Sequence, residues 1–272
     1  MEEFLNMLNP EQRRAVVHEG GNLLILAGAG SGKTRVITTK IAYLIRQKNI
    51  DPYNILAVTF TKKAANEMKE RAVLMEPLAA KAQIKTFHSF GAWFLRRYYD
   101  AAGLEQNFTV YDDDDSLTLL KKACPELSVK DAKKAAHDIA LAKDYFLDPD
   151  DDLSAVNSDF DLQPIYKAYE ARLHATGNAD FGDLIMLPVK VMQNNELIKD
   201  YIHRRFKVIM VDEYQDSNIA QFKLLQYLSG VEEGTDTYTC VVGDDDQSIY
   251  AFRGAEVQNI LNFPNQFPNT EI

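Results

Sequence analysis

The run Ala27-Gly28-Ala29-Gly30-Ser31-Gly32-Lys33-Thr34 constrains this chain more than any other stretch. An apolar segment, Asn22–Leu26, delivers the backbone to it. After it, apolar side chains recur at helical spacing (Val36, Ile37, Ile41, Leu44, Ile45). A strand turning through small residues into a helix lets backbone N–H groups converge on phosphate oxygens, and it aims the positive end of the helix at the same anion. Lys33 is then placed for the β- and γ-phosphates, and Thr34 for Mg²⁺. Ala27 stands where the GxxxxGK[ST] pattern has Gly, a change that keeps the residue small.

The remaining apolar runs fit the same architecture. Ile55–Phe60, Phe206–Val211 and Tyr238–Val242 read as buried strands, with a weaker candidate at Gln83–Phe87. Most lead through polar residues into a helical pattern. The class predicted is therefore α/β, with a parallel sheet flanked by helices. Upstream of the first strand, Asn9 is placed to cap a helix with Pro10 at its first position, and Gly20-Gly21 ends it.

Two further strand ends carry chemistry. Asp212 and Glu213 follow the apolar run Val208–Val211. In a doubly wound sheet ligands collect at carboxyl strand ends, so Asp212 can hold a Mg²⁺ through its water shell and Glu213 can orient or deprotonate an attacking water. Solvated helix-capping acids are the alternative for such a pair alone. After Val242, Gln247 is an uncharged group suited to sensing a γ-phosphate. Tyr250, Phe252 and Arg253 suit base stacking and phosphate contact, or, for the aromatics, ordinary core packing.

The middle of the chain differs. Residues 100–172 hold 17 acidic and 8 basic residues, so this block carries nearly all of the net charge of −10 and leaves the flanks close to neutral. Charge alone therefore does not exclude a nucleic-acid path on the flanks. The block has helical patterns broken by Asp-rich stretches (Asp112–Asp115; Asp148, Asp150–Asp152). These read as solvated loops and helix starts, or as Ca²⁺ ligands, although they lack the Gly and closing Glu of an EF-hand loop. Lys121, Lys122, Lys130, Lys133 and Lys134 form either a basic face or a solvated helix surface. Cys124 and Cys240 show no metal-ligand spacing, and no apolar run approaches membrane-spanning length. A reduced, cytoplasmic location without membrane partners is the expectation.

Taken in order, these segments resemble superfamily 1A DNA helicases of the UvrD/Rep/PcrA type. LNPEQRRAV is similar to the adenine-reading segment, with Gln12 as the implied base contact. AGAGSGKTR is the family's form of the phosphate loop, and Arg35 matches a position near the nucleotide. VTFTKKAANEMKER and TFHSF resemble segments that carry single-stranded DNA, which implies Phe60, Thr61, Lys62, His88 and Ser89 as contacts, together with Tyr250, Phe252 and Arg253. Lys62 stands where many relatives have Asn, adding a cation beside Phe60. Phe252 stands where Trp is common, keeping a stacking face without the indole N–H. DFGDLI (Asp180–Ile185) resembles the return from an inserted subdomain, and DEYQDSN and GDDDQSIYAFRGA complete the series.

The resemblance implies a RecA-like P-loop lobe 1A over residues 1–99 and 177–272, interrupted by a mainly helical subdomain 1B over 100–176. It further implies ATP and Mg²⁺ as cofactors, single-stranded DNA and single/double-strand junctions as partners, and 3′-to-5′ unwinding. Lys33, Asp212, Glu213 and Gln247 are the implied catalytic groups. A second RecA-like lobe, carrying catalytic arginines, is expected to lie outside this chain, leaving these residues nearly inactive alone. Repair or replication proteins are possible partners. The alternative is a DNA-stimulated translocase that strips bound proteins without unwinding.

Overall fold

The computed structural model describes residues 1–244 and 257–272, with the backbone alone at 257–259. It divides into two compact units. The first comprises Met1–Phe87, Leu197–Asn218 and Leu225–Ile272; the second comprises His88–Glu196 and Ile219–Leu224.

The first unit is built on a six-stranded sheet in the order β3-β2-β6-β7-β1-β8, every neighbouring pair parallel. Its strands are β1 (Asn22–Leu26), β2 (Ile55–Thr59), β3 (Gln83–Thr86), β6 (Val208–Val211), β7 (Tyr238–Gly243) and β8 (Thr270–Glu271). Apolar side chains fill both faces, which is why these strands read as continuous apolar runs instead of alternating ones. On one face Leu23, Ala57, Met210 and Cys240 pack with Ile37 and Ile41 of α3 (Lys33–Arg46) and Met68 and Ala72 of α4 (Lys62–Met75). The alternate residues Leu24, Leu56, Ile209 and Val241 are equally buried on the other face.

Short helices complete this unit: α1 (Glu2–Asn6), α2 (Pro10–Val17), α10 (Glu196–Arg205, of which Glu196 falls in the second unit), α11 (Ile219–Ser229, from Leu225 onward) and α12 (Val257–Gln266). α2 begins with a full capping box. The Asn9 side chain accepts from Gln12 N (2.8 Å), and Asn9 N donates to Gln12 Oε1 (3.0 Å). The cap at Asn9 and the Pro at the first turn are therefore as the sequence suggests.

The second unit packs α6 (Asp113–Ala123), α7 (Val129–Asp144) and α8 (Leu162–Thr176) around Leu120, Ala135, Ile139, Tyr166 and Leu173. It also holds α5 (Phe87–Arg97, from His88 onward) and α9 (Asp183–Asn194). A two-stranded parallel sheet, β4 (Val110–Tyr111) with β5 (Ala179–Asp180), stands outside the strands the sequence predicts. The Asp-rich stretch at Asp112 starts α6: Asp112 accepts from Asp115 N at 2.8 Å, a second capping box. Lys121, Lys122, Lys130, Lys133 and Lys134 are all exposed.

The DFGDLI stretch has a structural explanation. Asp180 and Asp183 cap one another across the start of α9, with Asp183 N donating to Asp180 Oδ1 at 2.9 Å. The fully buried Lys143 ammonium lies among Asp180 (2.7 Å), Asp183 (3.0 Å) and Glu170 (2.5 Å). A Cβ at Gly182 would lie 2.6 Å from Lys143 Cδ, so Gly admits that side chain. Burial, reinforced by Asp180, pushes the Asp183 carboxyl up to about 7, while the three carboxylates together hold Lys143 protonated against its burial. Among the described residues no helix is long and apolar enough to cross a membrane.

Candidate nucleotide site and nucleic-acid interface

Because every strand of the main sheet is parallel, their C-terminal ends lie along one edge. That edge receives Ala27 after β1, Phe60 after β2, Asp212 after β6 and Asp244 after β7. Two extra ladder bonds fix where the loops leave: Ala27 N donates to Gly243 O (3.1 Å), and Asp212 N to Val58 O (3.0 Å).

The loop from Ala27 to Thr34 is wound by Gly30 and Gly32, both at positive φ (76° and 81°). Ser31 closes it internally, with Ser31 N (3.3 Å) and Oγ (2.5 Å) both donating to Gly28 O. Gly28, Ala29, Gly30 and Ser31 are exposed, and a Cβ at Gly28 or Gly30 would meet open space, so the loop leaves room for a ligand. Lys33 and Thr34 begin α3 and are partly buried.

Gln12 reaches the same loop. Its Nε2 donates to Ser31 O at 2.8 Å, and its amide retains one further hydrogen and one further lone pair. Gln12 and Lys33 line a cleft of about 340 Å³ with Arg14, His18, Ala27 and Glu271. Arg35 is exposed and lines a separate depression with Phe4, Met7 and Arg71.

Asp212 is 4% exposed. Burial, and then the neighbouring Glu213 charge, push its carboxyl up to about 6; the Glu213 N–H (2.9 Å) and the Lys33 ammonium pull the other way. Asp216 is raised by burial and likewise drawn down by Lys33. The loop lysine and the acids after β6 thus lie within electrostatic reach of one another. Glu213 adopts the left-handed conformation (φ 52°, ψ 42°), turning the chain into a 3-10 turn at Tyr214–Asp216 against which α12 packs. Tyr214 meets Phe263 edge-on at 5.7 Å.

Gln215, which the sequence reading left out, joins the β6 and β7 loops. Its Nε2 donates to Glu213 Oε2 at 2.6 Å, and its Oε1 accepts from Asp244 N at 3.0 Å. A Cβ at Gly243 would lie 2.7 Å from that Oε1, so Gly is what permits the approach. The only sequence signal was a polar residue two positions after Glu213; its partner lies 29 residues away. Gln247, Tyr250, Phe252 and Arg253 fall outside the described residues.

On the first unit, Phe60 is partly exposed and backed by buried Phe87, ring centroids 5.2 Å apart. Thr61 caps α4 by accepting from Ala64 N at 3.1 Å. Exposed Lys62 and Lys63 follow in a first turn without acids, so cationic side chains add to the positive helix end there. In the second unit, His88 and Ser89 are partly buried near the start of α5. Burial lowers the His88 pKa. The half-exposed Phe181 lies edge-on to the His88 ring at 5.4 Å, an aromatic the sequence reading did not single out.

A family profile described as the UvrD/REP helicase N-terminal domain matches residues 8–268. The chain is 43% identical over 284 residues to "ATP-dependent DNA helicase UvrD1" of Mycobacterium tuberculosis (strain ATCC 25618 / H37Rv), covering 99% of this chain. It is 40% identical over 277 residues to "ATP-dependent DNA helicase PcrA" of Bacillus subtilis (strain 168), again covering 99%. The same identity relates it to PcrA of Staphylococcus aureus (strain NCTC 8325 / PS 47), covering 98%. The chain spans 37% of the length of each of these relatives.

Proposed function

The chain belongs to the UvrD/REP helicase N-terminal domain family, and from that premise we propose that it is the ATP-binding portion of an ATP-dependent DNA helicase. One observation carries the reading. A glycine-wound loop ending in Lys33 and the acids Asp212 and Glu213 leave the same sheet edge, with the Lys33 charge felt at Asp212 and Asp216. In this reading residues 1–99 and 177–272 form lobe 1A and residues 100–176 form subdomain 1B.

The loop N–H groups and Lys33 hold the phosphates, and the free valences of the Gln12 amide suit the paired donor and acceptor of an adenine edge. The hard oxygens of Thr34 and Asp212 fit Mg²⁺. When bound, that ion would neutralise phosphate charge. Glu213, oriented by Gln215, accepts the proton of the attacking water. The family resemblance implies single-stranded DNA contacts at Phe60, Thr61 and Lys62 of the first unit and, taken separately, at His88 and Ser89 of the second, with 3′-to-5′ movement. The groups that complete hydrolysis and unwinding belong to the further length that such relatives possess.

Two substitutions in the full-length protein test this. Glu213→Gln retains ATP binding and lowers turnover by about 10²-fold or more, the scale of a positioned general base. Wild-type hydrolysis by that variant would remove Glu213 from the role. Phe60→Ala weakens oligonucleotide binding by about 1–3 kcal/mol if a base stacks there; unchanged affinity in a fluorescence-anisotropy titration would return Phe60 to a packing role. A tailed duplex separates unwinding from translocation alone.

A further inference from the structure

Lys40 sits in the middle of α3, two turns beyond Lys33, and its side chain is completely buried. A lysine there is costly unless its ammonium finds partners. It finds three. Nζ donates to Ala15 O (2.8 Å), Val16 O (2.9 Å) and His18 O (3.0 Å), matching three donors to three carbonyls at the C-terminal end of α2. Those carbonyls have no partner further along the helix, and they form the negative end of its dipole. The ammonium also lies 5.1 Å from the Tyr238 ring centroid, and the Tyr238 hydroxyl is 2.9 Å from His18 Nδ1. Burial lowers the Lys40 pKa to about 8.

α2 has only eight residues, too few for a helix to persist without tertiary anchors. Its other end carries Gln12, bonded to Ser31 O of the phosphate loop. Apolar contacts of Val16 with Val36 and Leu5 hold α2 near α3 but are non-directional. His18 adds polar contacts to Tyr238 (2.9 Å) and Glu271 (3.1 Å), and Arg14 pairs with Glu271, but the group that ties the C-terminal end of α2 to α3 is Lys40, on the same helix whose N-terminus is the phosphate loop.

We propose that Lys40 is a positioning residue of the nucleotide site: by gripping the end of α2 it sets that helix against the phosphate-loop helix and so places the Gln12 amide for the base. The inference rests on the nucleotide reading above and adds a determinant of base selectivity that never touches the ligand.

The test uses the full-length protein with fluorescent ADP and GDP analogues, and inorganic pyrophosphate as the probe of the loop alone. Lys40→Met keeps the stem and removes the donors. The expected result is a loss of about tenfold in the ADP-over-GDP affinity ratio, the scale of one lost base contact, with pyrophosphate affinity unchanged. Lys40→Arg, which can still donate to the same carbonyls, restores the ratio. Adding Gln12→Ala to Lys40→Met lowers it no further. A folded Lys40→Met protein with the wild-type ratio overturns the proposal, as does an equal loss for ADP, GDP and pyrophosphate. Should Lys40→Met fail to fold, Lys40→Gln is measured instead, and a wild-type ratio there overturns it equally. A wild-type protein that binds no pyrophosphate, or shows no preference for ADP, would instead overturn the nucleotide reading beneath it.

Discussion

Asp212 lies in the interior with a charge its surroundings only partly compensate. The sign of its effect on stability follows from linkage. The carboxyl loses its proton near 6 in the folded chain and at its ordinary 3.8 when unfolded, so the folded state becomes less stable as pH rises through that window. In metal-free buffer near pH 8, Asp212→Asn should therefore raise stability by up to about 3 kcal/mol, a difference that shrinks toward zero as pH falls to about 4. Urea midpoints at the two pH values check this; equal midpoints near pH 8 would sink it. Glu213 adds backbone strain, since a non-glycine residue at φ 52° is held there only by its surroundings. Both acids were legible as a pair at a strand end. Gln215 and Lys40 were not, because their partners lie 29 and 22–25 residues away, reached only through the fold. A lysine within an amphipathic helix also reads as solvent-facing until its neighbours are known.

At the level of elements, local rules worked where the signal was local. The cap at Asn9 and the strand–loop–helix around Lys33 follow from short-range chemistry. β4 and β5 have two residues each, too short to show a period, and exist because one pairs with the other across almost seventy residues of chain. Gly91 is a further case. Glycine within a helix reads as a weakness, yet a Cβ there would lie 1.8 Å from the Leu184 carbonyl oxygen at the start of α9. The α5–α9 crossing needs its absence. Gly91→Ala is expected to destabilise the second unit by about 1–3 kcal/mol or more, despite the better helix propensity of Ala. A urea midpoint at or above that of the wild type would show that the helices separate freely.

For the molecule as a whole, alternation of strands and helices gave the parallel sheet, but the order β3-β2-β6-β7-β1-β8 could not be read from the chain. β7 intervenes between the loop strand β1 and the acid strand β6, so Asp244 leaves the sheet edge between the two. The proposed nucleotide site draws only on the first unit, which gives a test at this scale. Mg·ADP at about a hundredfold over its Kd should stabilise that unit by roughly 2.7 kcal/mol. Hydrogen exchange should slow along α2, α3 and the Val208–Asp216 segment, with α6–α8 unchanged. Protection confined to α6–α8 would move the site elsewhere. The sheet order also governs how the chain is made. β1, β2 and β3 leave the ribosome first, but the partners of β1 among the described residues are β7 and β8, and the inner edge of β2 waits for β6. More than a hundred residues separate Thr86 from Val208, so at about 5–20 residues per second these apolar strands spend on the order of ten seconds with open edges. Much of the second unit, His88–Glu196, is synthesised in that interval, which makes nascent β1 and β2 the segments of this chain most in need of a chaperone.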